Sequence, residues 1–159
     1  ISILSLYSAR LVVEIVATFA AFVFSGFFFW FFGMFKWPAD MGMMLLGWGL
    51  YTWYTIGIAF LVGALSERSE LVEKVWQPVS YVTIPLSGTF FMVAWLPYAV
   101  QEWVILLPFV TAVELIRGGY FGEGIQVFYN IPATVLQCAQ ATGFGLFFMR
   151  DARRHIEKD

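Results

Sequence analysis

"LPFVTAVELIRGGYFG", Leu107 to Gly122, decides whether this chain crosses a membrane four times or five. It sets a charged pair, Glu114 and Arg117, and a run of glycine and aromatic residues between two strongly apolar stretches. The longest uncharged run here, Trp103 to Val113, has 11 residues and is split by Pro108. A spanning helix needs about 20. The pattern predicts two short half-helices that dip into a membrane, not a span.

The rest of the chain makes a membrane the expected solvent. Of 159 residues, 60% are hydrophobic and only 13% charged, against about 25% charged in soluble domains. Nine basic and eleven acidic side chains give no reason to expect a nucleic-acid partner. The chain begins at Ile1, and no small-residue cleavage site follows its first apolar stretch. It is read as lacking an upstream part and a signal peptide.

Leu11 to Phe35, interrupted only by Glu14, and Met41 to Leu65, with no charge, are 25 residues each. At 1.5 Å per residue either reaches roughly 37 Å, enough to cross a hydrocarbon core of about 30 Å. "KWPAD", Lys36 to Asp40, is the turn between them, with Pro38 and Asp40 as turn formers. Val79 to Val100 is apolar although broken by Pro85, Gly88 and Pro97, and is expected as a third span. Tyr129 to Met149 is the fourth, opened by Asn130 as cap and Pro132 in the first turn. Residues 101–128 form the re-entrant segment. The fold expected is all-α: one polytopic bundle over 1–159, with four transmembrane helices and a re-entrant outer helical hairpin.

Between the second and third spans, Leu71, Val72, Val75 and Trp76 recur at helical spacing among Glu67, Arg68, Glu70, Glu73 and Lys74. That predicts an amphipathic helix over 66–77, capped by Ser66 or Ser69 and stopped by Pro78. It is either a docking element for a soluble partner or a connector on the membrane surface. Lysine and arginine favour cytoplasmic loops. With both ends inside, Arg10, Arg68, Lys74, Arg150, Arg153, Arg154 and Lys158 lie inside, and only Lys36 and Arg117 outside.

No phosphate-binding glycine loop, metal-spaced histidine or cysteine cluster, or nucleophile paired with a base appears. No catalytic residue and no metal site is assigned. His155 reads as a solvated side chain of the basic tail, and Cys138 as a packed, inert thiol. Four residues are candidates for lining a polar pathway. Glu14 is one, against the alternative of a carboxylate paired with Arg10 or reaching water. Trp30 belongs to "SGFFFWFFGMF", Ser25 to Phe35, whose rings suit either a sugar face or the membrane interface. Gln137 and Gln140 share a face of the last span, where Ala139/Gly143 and Ala141/Gly145 permit close helix approach.

"VWQPVSYVTIPLSGTFFMVAWLP", Val75 to Pro97, followed by Leu107 to Gly122, resembles the permease subunit of bacterial ABC exporters of the capsular polysaccharide type. The resemblance covers the chain as the C-terminal two thirds of such a permease and is sharpest from Val75 to Gly124. It implies the third to sixth spans of a six-span, multi-pass inner-membrane protein. Its cargo would be a lipid-linked polysaccharide, with O-antigen or teichoic-acid glycan as the alternative within the class; a non-transporting membrane scaffold is the alternative outside it.

Partners implied are a second permease copy, a cytoplasmic ABC ATPase, the glycan, and periplasmic and outer-membrane polysaccharide export proteins. This chain would hold no cofactor; ATP and magnesium would belong to the ATPase, contacted by Glu67, Arg68, Glu70, Glu73 and Lys74. In the outer motif, Pro108, Gly118 and Gly119 are expected to supply the flexible break, ending at Gly122, and Glu114 and Arg117 to pair at the outer interface. Tyr120 and Phe121 would hold the turn at headgroup depth.

Overall fold

The computed structural model describes residues 3–156. Lys158 lies outside them, as do the side chains of Arg153 and His155. The described chain is an α-helical bundle of six α-helices: α1 (Ile3–Phe31), α2 (Met41–Ser66), α3 (Glu70–Leu86), α4 (Tyr98–Val104), α5 (Pro108–Phe121) and α6 (Ile131–Ile156). Of these, α1, α2 and α6 are each long and apolar enough to cross a membrane. The chain bends by 103° between α4 and the segment that begins at Pro108.

Local chemistry explains several helix ends. Asp40 caps α2, its carboxylate accepting from the Met43 amide at 3.0 Å. Asn130 caps α6 through the Ala133 amide at 3.1 Å. Of the two serines offered as caps for α3, Ser69 takes the position and accepts from Leu71. α1 stops at Phe31 although the apolar run continues to Phe35. Gly33 adopts a positive φ of 71°, and the amides of Gly33 and Met34 turn back to the carbonyls of Trp30 and Phe29, both at 2.9 Å.

Two expectations are corrected between residues 66 and 100. The amphipathic helix does not stop at Pro78 but runs through it to Leu86, with Pro78 and Pro85 both inside α3. Pro78 frees the carbonyl of Lys74, on the exposed polar turn of the helix, where water can satisfy it. Nor is Val79 to Val100 one helix. α3 ends at Leu86, Gly88 takes a φ of 80°, and irregular chain with one 3-10 turn at Val93–Trp95 leads to α4. Hydropathy alone hides this break, because the irregular chain, from buried Val93 to exposed Phe90 and Trp95, is as apolar as a span.

α2 is the central element. It packs along α6 in parallel, from Leu50 against Cys138 to the cluster of Phe60, Ala64 and Met149. Close approach depends on small residues: a Cβ at Gly57 would lie 2.7 Å from the Thr142 nitrogen, and one at Gly145 2.7 Å from the Gly57 carbonyl. Of the small pairs in α6, Ala141/Gly145 therefore faces α2, while Ala139 and Gly143 are exposed. α5 crosses the first half of α2 in the opposite direction, with Gly47 against Ala112 and Gly119 against Met44. α1 leans on α2 through Phe19 and Trp48, whose ring centroids are 4.7 Å apart, and through Tyr7 over Gly63.

Candidate functional site

Residues 108–122 fold into a clasp. Pro108 is buried in the first turn of α5, where its missing N–H costs nothing. Glu114 is completely buried, and one of its oxygens receives the Arg117 guanidinium at 2.5 Å. The pair forms as its spacing of three predicts, but inside protein instead of at an open interface.

Both partners then reach backbone far away in sequence. Arg117 donates to the carbonyls of Gly88, at 2.8 Å, and Phe91, at 3.3 Å. The Glu114 carboxylate accepts from the amides of Val93 and Phe128, each at 3.4 Å. The irregular segment after α3 and the extended segment before α6 are both held to α5 by this pair. Irregular backbone at membrane depth needs such partners, because no water is there to satisfy it. Thr111 adds a second tie, donating to the Ile105 carbonyl at 2.9 Å and accepting from the Asn130 amide at 3.3 Å.

Gly118 and Gly119 do not make the break expected of them. They lie within α5, buried against α2. A Cβ at Gly119 would sit 2.5 Å from the Met44 nitrogen, and one at Gly118 2.9 Å from the Met43 methyl. Their smallness lets α5 touch the start of α2, and the Asp40 amide donates to the Gly119 carbonyl at 2.7 Å. The break falls at residues 105–107 instead, and the helix ends at Gly122 with a φ of 60°. Tyr120 lies tilted against Phe35, with ring centroids 5.6 Å apart, and edge-to-face with Phe121, at 4.8 Å, and its hydroxyl accepts from the Lys36 amide.

The five charged residues named for partner contact divide into two groups. Glu67 and Arg68 lie in the turn before α3 and are engaged within the chain: Glu67 accepts from the Tyr7 hydroxyl at 3.2 Å, and Arg68 pairs with Asp151 of α6. These bonds gather the start of α1, the end of α2 and the end of α6 at one end of the bundle. Glu70, Glu73 and Lys74 are exposed on the first turns of α3, with Lys74 3.9 Å from Glu70. Asp151, a residue that the sequence did not single out, was hidden in a tail that reads as uniformly solvated.

The pathway candidates are not brought together. Glu14 is exposed on α1, and no ion pair joins it to Arg10 among the described residues. Trp30 stands edge-on to Trp37, with ring centroids 6.3 Å apart. Gln140 is exposed, whereas the side-chain oxygen of Gln137 is buried and unbonded among the described residues. Cys138 is fully buried, its sulfur 3.6 Å from the Leu50 carbonyl.

Comparison with known proteins bears on what this bundle does. The chain is 34% identical over 138 residues, 87% of its length, to the capsule polysaccharide export inner-membrane protein CtrC of Neisseria meningitidis serogroup A. It is a homologue of capsule polysaccharide export inner-membrane proteins. A second relative, BexB of Haemophilus influenzae, carries the same description and is 28% identical over 120 residues, 76% of this chain. The chain spans about half the length of these curated relatives, 52% of CtrC and 45% of BexB. No family model and no solved structure matches it. The homology with CtrC and BexB accords with the resemblance seen in the residues around the clasp.

Proposed function

We propose that this chain forms the C-terminal portion of the membrane-spanning part of a permease in an ATP-driven exporter, moving lipid-linked capsular polysaccharide across a bacterial inner membrane. The homology to CtrC along 138 residues carries the reading. The bundle supports it by offering apolar helices for the bilayer and a clasped half-helix, α5, at the end away from the Tyr7, Arg68 and Asp151 cluster.

Under this reading the charged end is cytoplasmic, as its lysines and arginines favour. A separate ABC ATPase binds ATP and magnesium and docks there on Glu70, Glu73 and Lys74, the exposed members of the contact set that are not tied to α1 or α6. A second copy of the permease completes the assembly, and the clasp keeps α4 and α5 folded as a cover for the glycan path. The test uses the full-length protein in its own cells. Deletion is expected to abolish surface capsule, and a tagged copy in mild detergent is expected to retain an ABC ATPase in stoichiometric amount. Normal capsule after deletion, or an intact permease purified without an ATPase, overturns the proposal.

A further inference from the structure

A cleft opens between the second half of α1 and the start of α2, closed below by the turn over residues 32–40 and on its third side by Ile116 and Tyr120 of α5. Its volume of about 540 Å³ falls in the range of small-molecule sites, about 300–1,000 Å³. Phe19, Phe22, Trp30, Met44 and Leu45 make walls that are almost wholly apolar. α1 contributes a gap to this wall at Gly26, where an added Cβ would meet nothing within 4 Å.

One charge borders the cleft. Lys36 lines its mouth, its backbone fixed by the Tyr120 hydroxyl at 3.2 Å, and its ammonium pairs with no carboxylate among the described residues. Trp30 and Trp37 beside it mark the depth at which indole rings collect, the boundary between hydrocarbon and headgroups. A sugar would find stacking rings here but few of the hydrogen-bond partners that its hydroxyls need. A hydrocarbon chain carrying a negative charge at one end satisfies both the walls and the lysine.

We propose that this cleft binds one acyl chain of an anionic membrane phospholipid, with Lys36 against the headgroup phosphate. The chain fills the space left at Gly26, and the lysine makes the site selective for net negative headgroups, since a zwitterionic lipid brings its own cation to the phosphate. The site belongs to the bilayer and is independent of the exported cargo.

The experiment is native mass spectrometry of the purified full-length protein in detergent, titrated in parallel with phosphatidylglycerol and phosphatidylcholine. One phosphatidylglycerol is expected to be retained per chain with at least about tenfold preference over phosphatidylcholine. Gly26→Trp, which fills the cleft, and Lys36→Glu, which reverses its charge, are each expected to weaken that retention by about tenfold or more. Lys36 is on an exposed turn, so its variant supplies the test should Gly26→Trp not fold. Equal retention of the two lipids, or unchanged phosphatidylglycerol retention in Lys36→Glu, overturns the proposal.

Discussion

The Glu114 carboxylate receives the Arg117 guanidinium at 2.5 Å while none of Glu114 is exposed. A buried ion pair is not stabilising by itself, because removing two charges from water can cost more than their attraction returns. What distinguishes this pair is the backbone it serves. Gly88, Phe91, Val93 and Phe128 have groups bonded to it, all outside the α-helices, in the segments before α4 and after α5.

Glu114→Leu and Arg117→Leu are each expected to cost about 3–5 kcal/mol, since each leaves an uncompensated buried charge. The double variant is expected to recover little of that loss, because the amides and carbonyls of the flanking segments then have no partner. Thermal unfolding of the detergent-solubilised proteins checks both statements. A double variant that unfolds at the parental temperature would mean that the charges mattered and the backbone bonds did not.

Arg117→Glu places two acids three residues apart in the same clasp. It is expected to impair capsule export while leaving ATPase association intact, because the clasp and the exposed charges of α3 lie at different ends of the fold. Surface capsule and co-purified ATPase are measured in the same strain; normal capsule would remove the clasp from the transport cycle.

Gly119→Ala is expected to destabilise the protein by about 1–3 kcal/mol, as overpacking does in a close-packed interior. The new methyl would meet the backbone of Met44 and Asp40, which cannot swing aside as a side-chain end can. Gly143→Ala is the control. Nothing lies within 4 Å of its Cβ, so it is expected to be neutral or to stabilise by up to about 1 kcal/mol through helix propensity. Equal thermal midpoints for the two variants would count against the α2 and α5 contact.

Glu70→Lys together with Glu73→Lys is expected to reduce ATPase recovery while lowering the permease's own stability by no more than about 2 kcal/mol, since both side chains are exposed acids at the start of α3. Breaking the half-exposed Arg68 and Asp151 pair instead is expected to cost less than about 1 kcal/mol. Unchanged ATPase recovery from the double reversal would move the docking surface elsewhere.

The only cysteine, Cys138, is expected to resist maleimide in the folded protein and to react after denaturation, because none of it is exposed. Gly145→Val, which pushes α6 from α2 at the Gly57 carbonyl, is expected to speed labelling. Rapid labelling of the parental protein would place the α2 and α6 contact in error.

The sequence by itself determined the parts whose causes are local. Uninterrupted apolar length specifies α2, Asp40 and Asn130 set the starts of α2 and α6 by offering side-chain oxygens to nearby amides, and the spacing of three lets Glu114 meet Arg117. Tertiary structure decided what depends on distant chain. Hydropathy reads the same whether apolar residues face lipid, fill a helix contact or line an irregular bend, so it could not separate α3 from the segment after Leu86. The burial of Glu114, the closeness of Gly119 to Met44 and the ends joined by Arg68 and Asp151 each depend on residues dozens of positions away. In a membrane, irregular backbone persists only where protein supplies its hydrogen bonds. Those bonds exist here once α5 has been brought against both neighbouring segments.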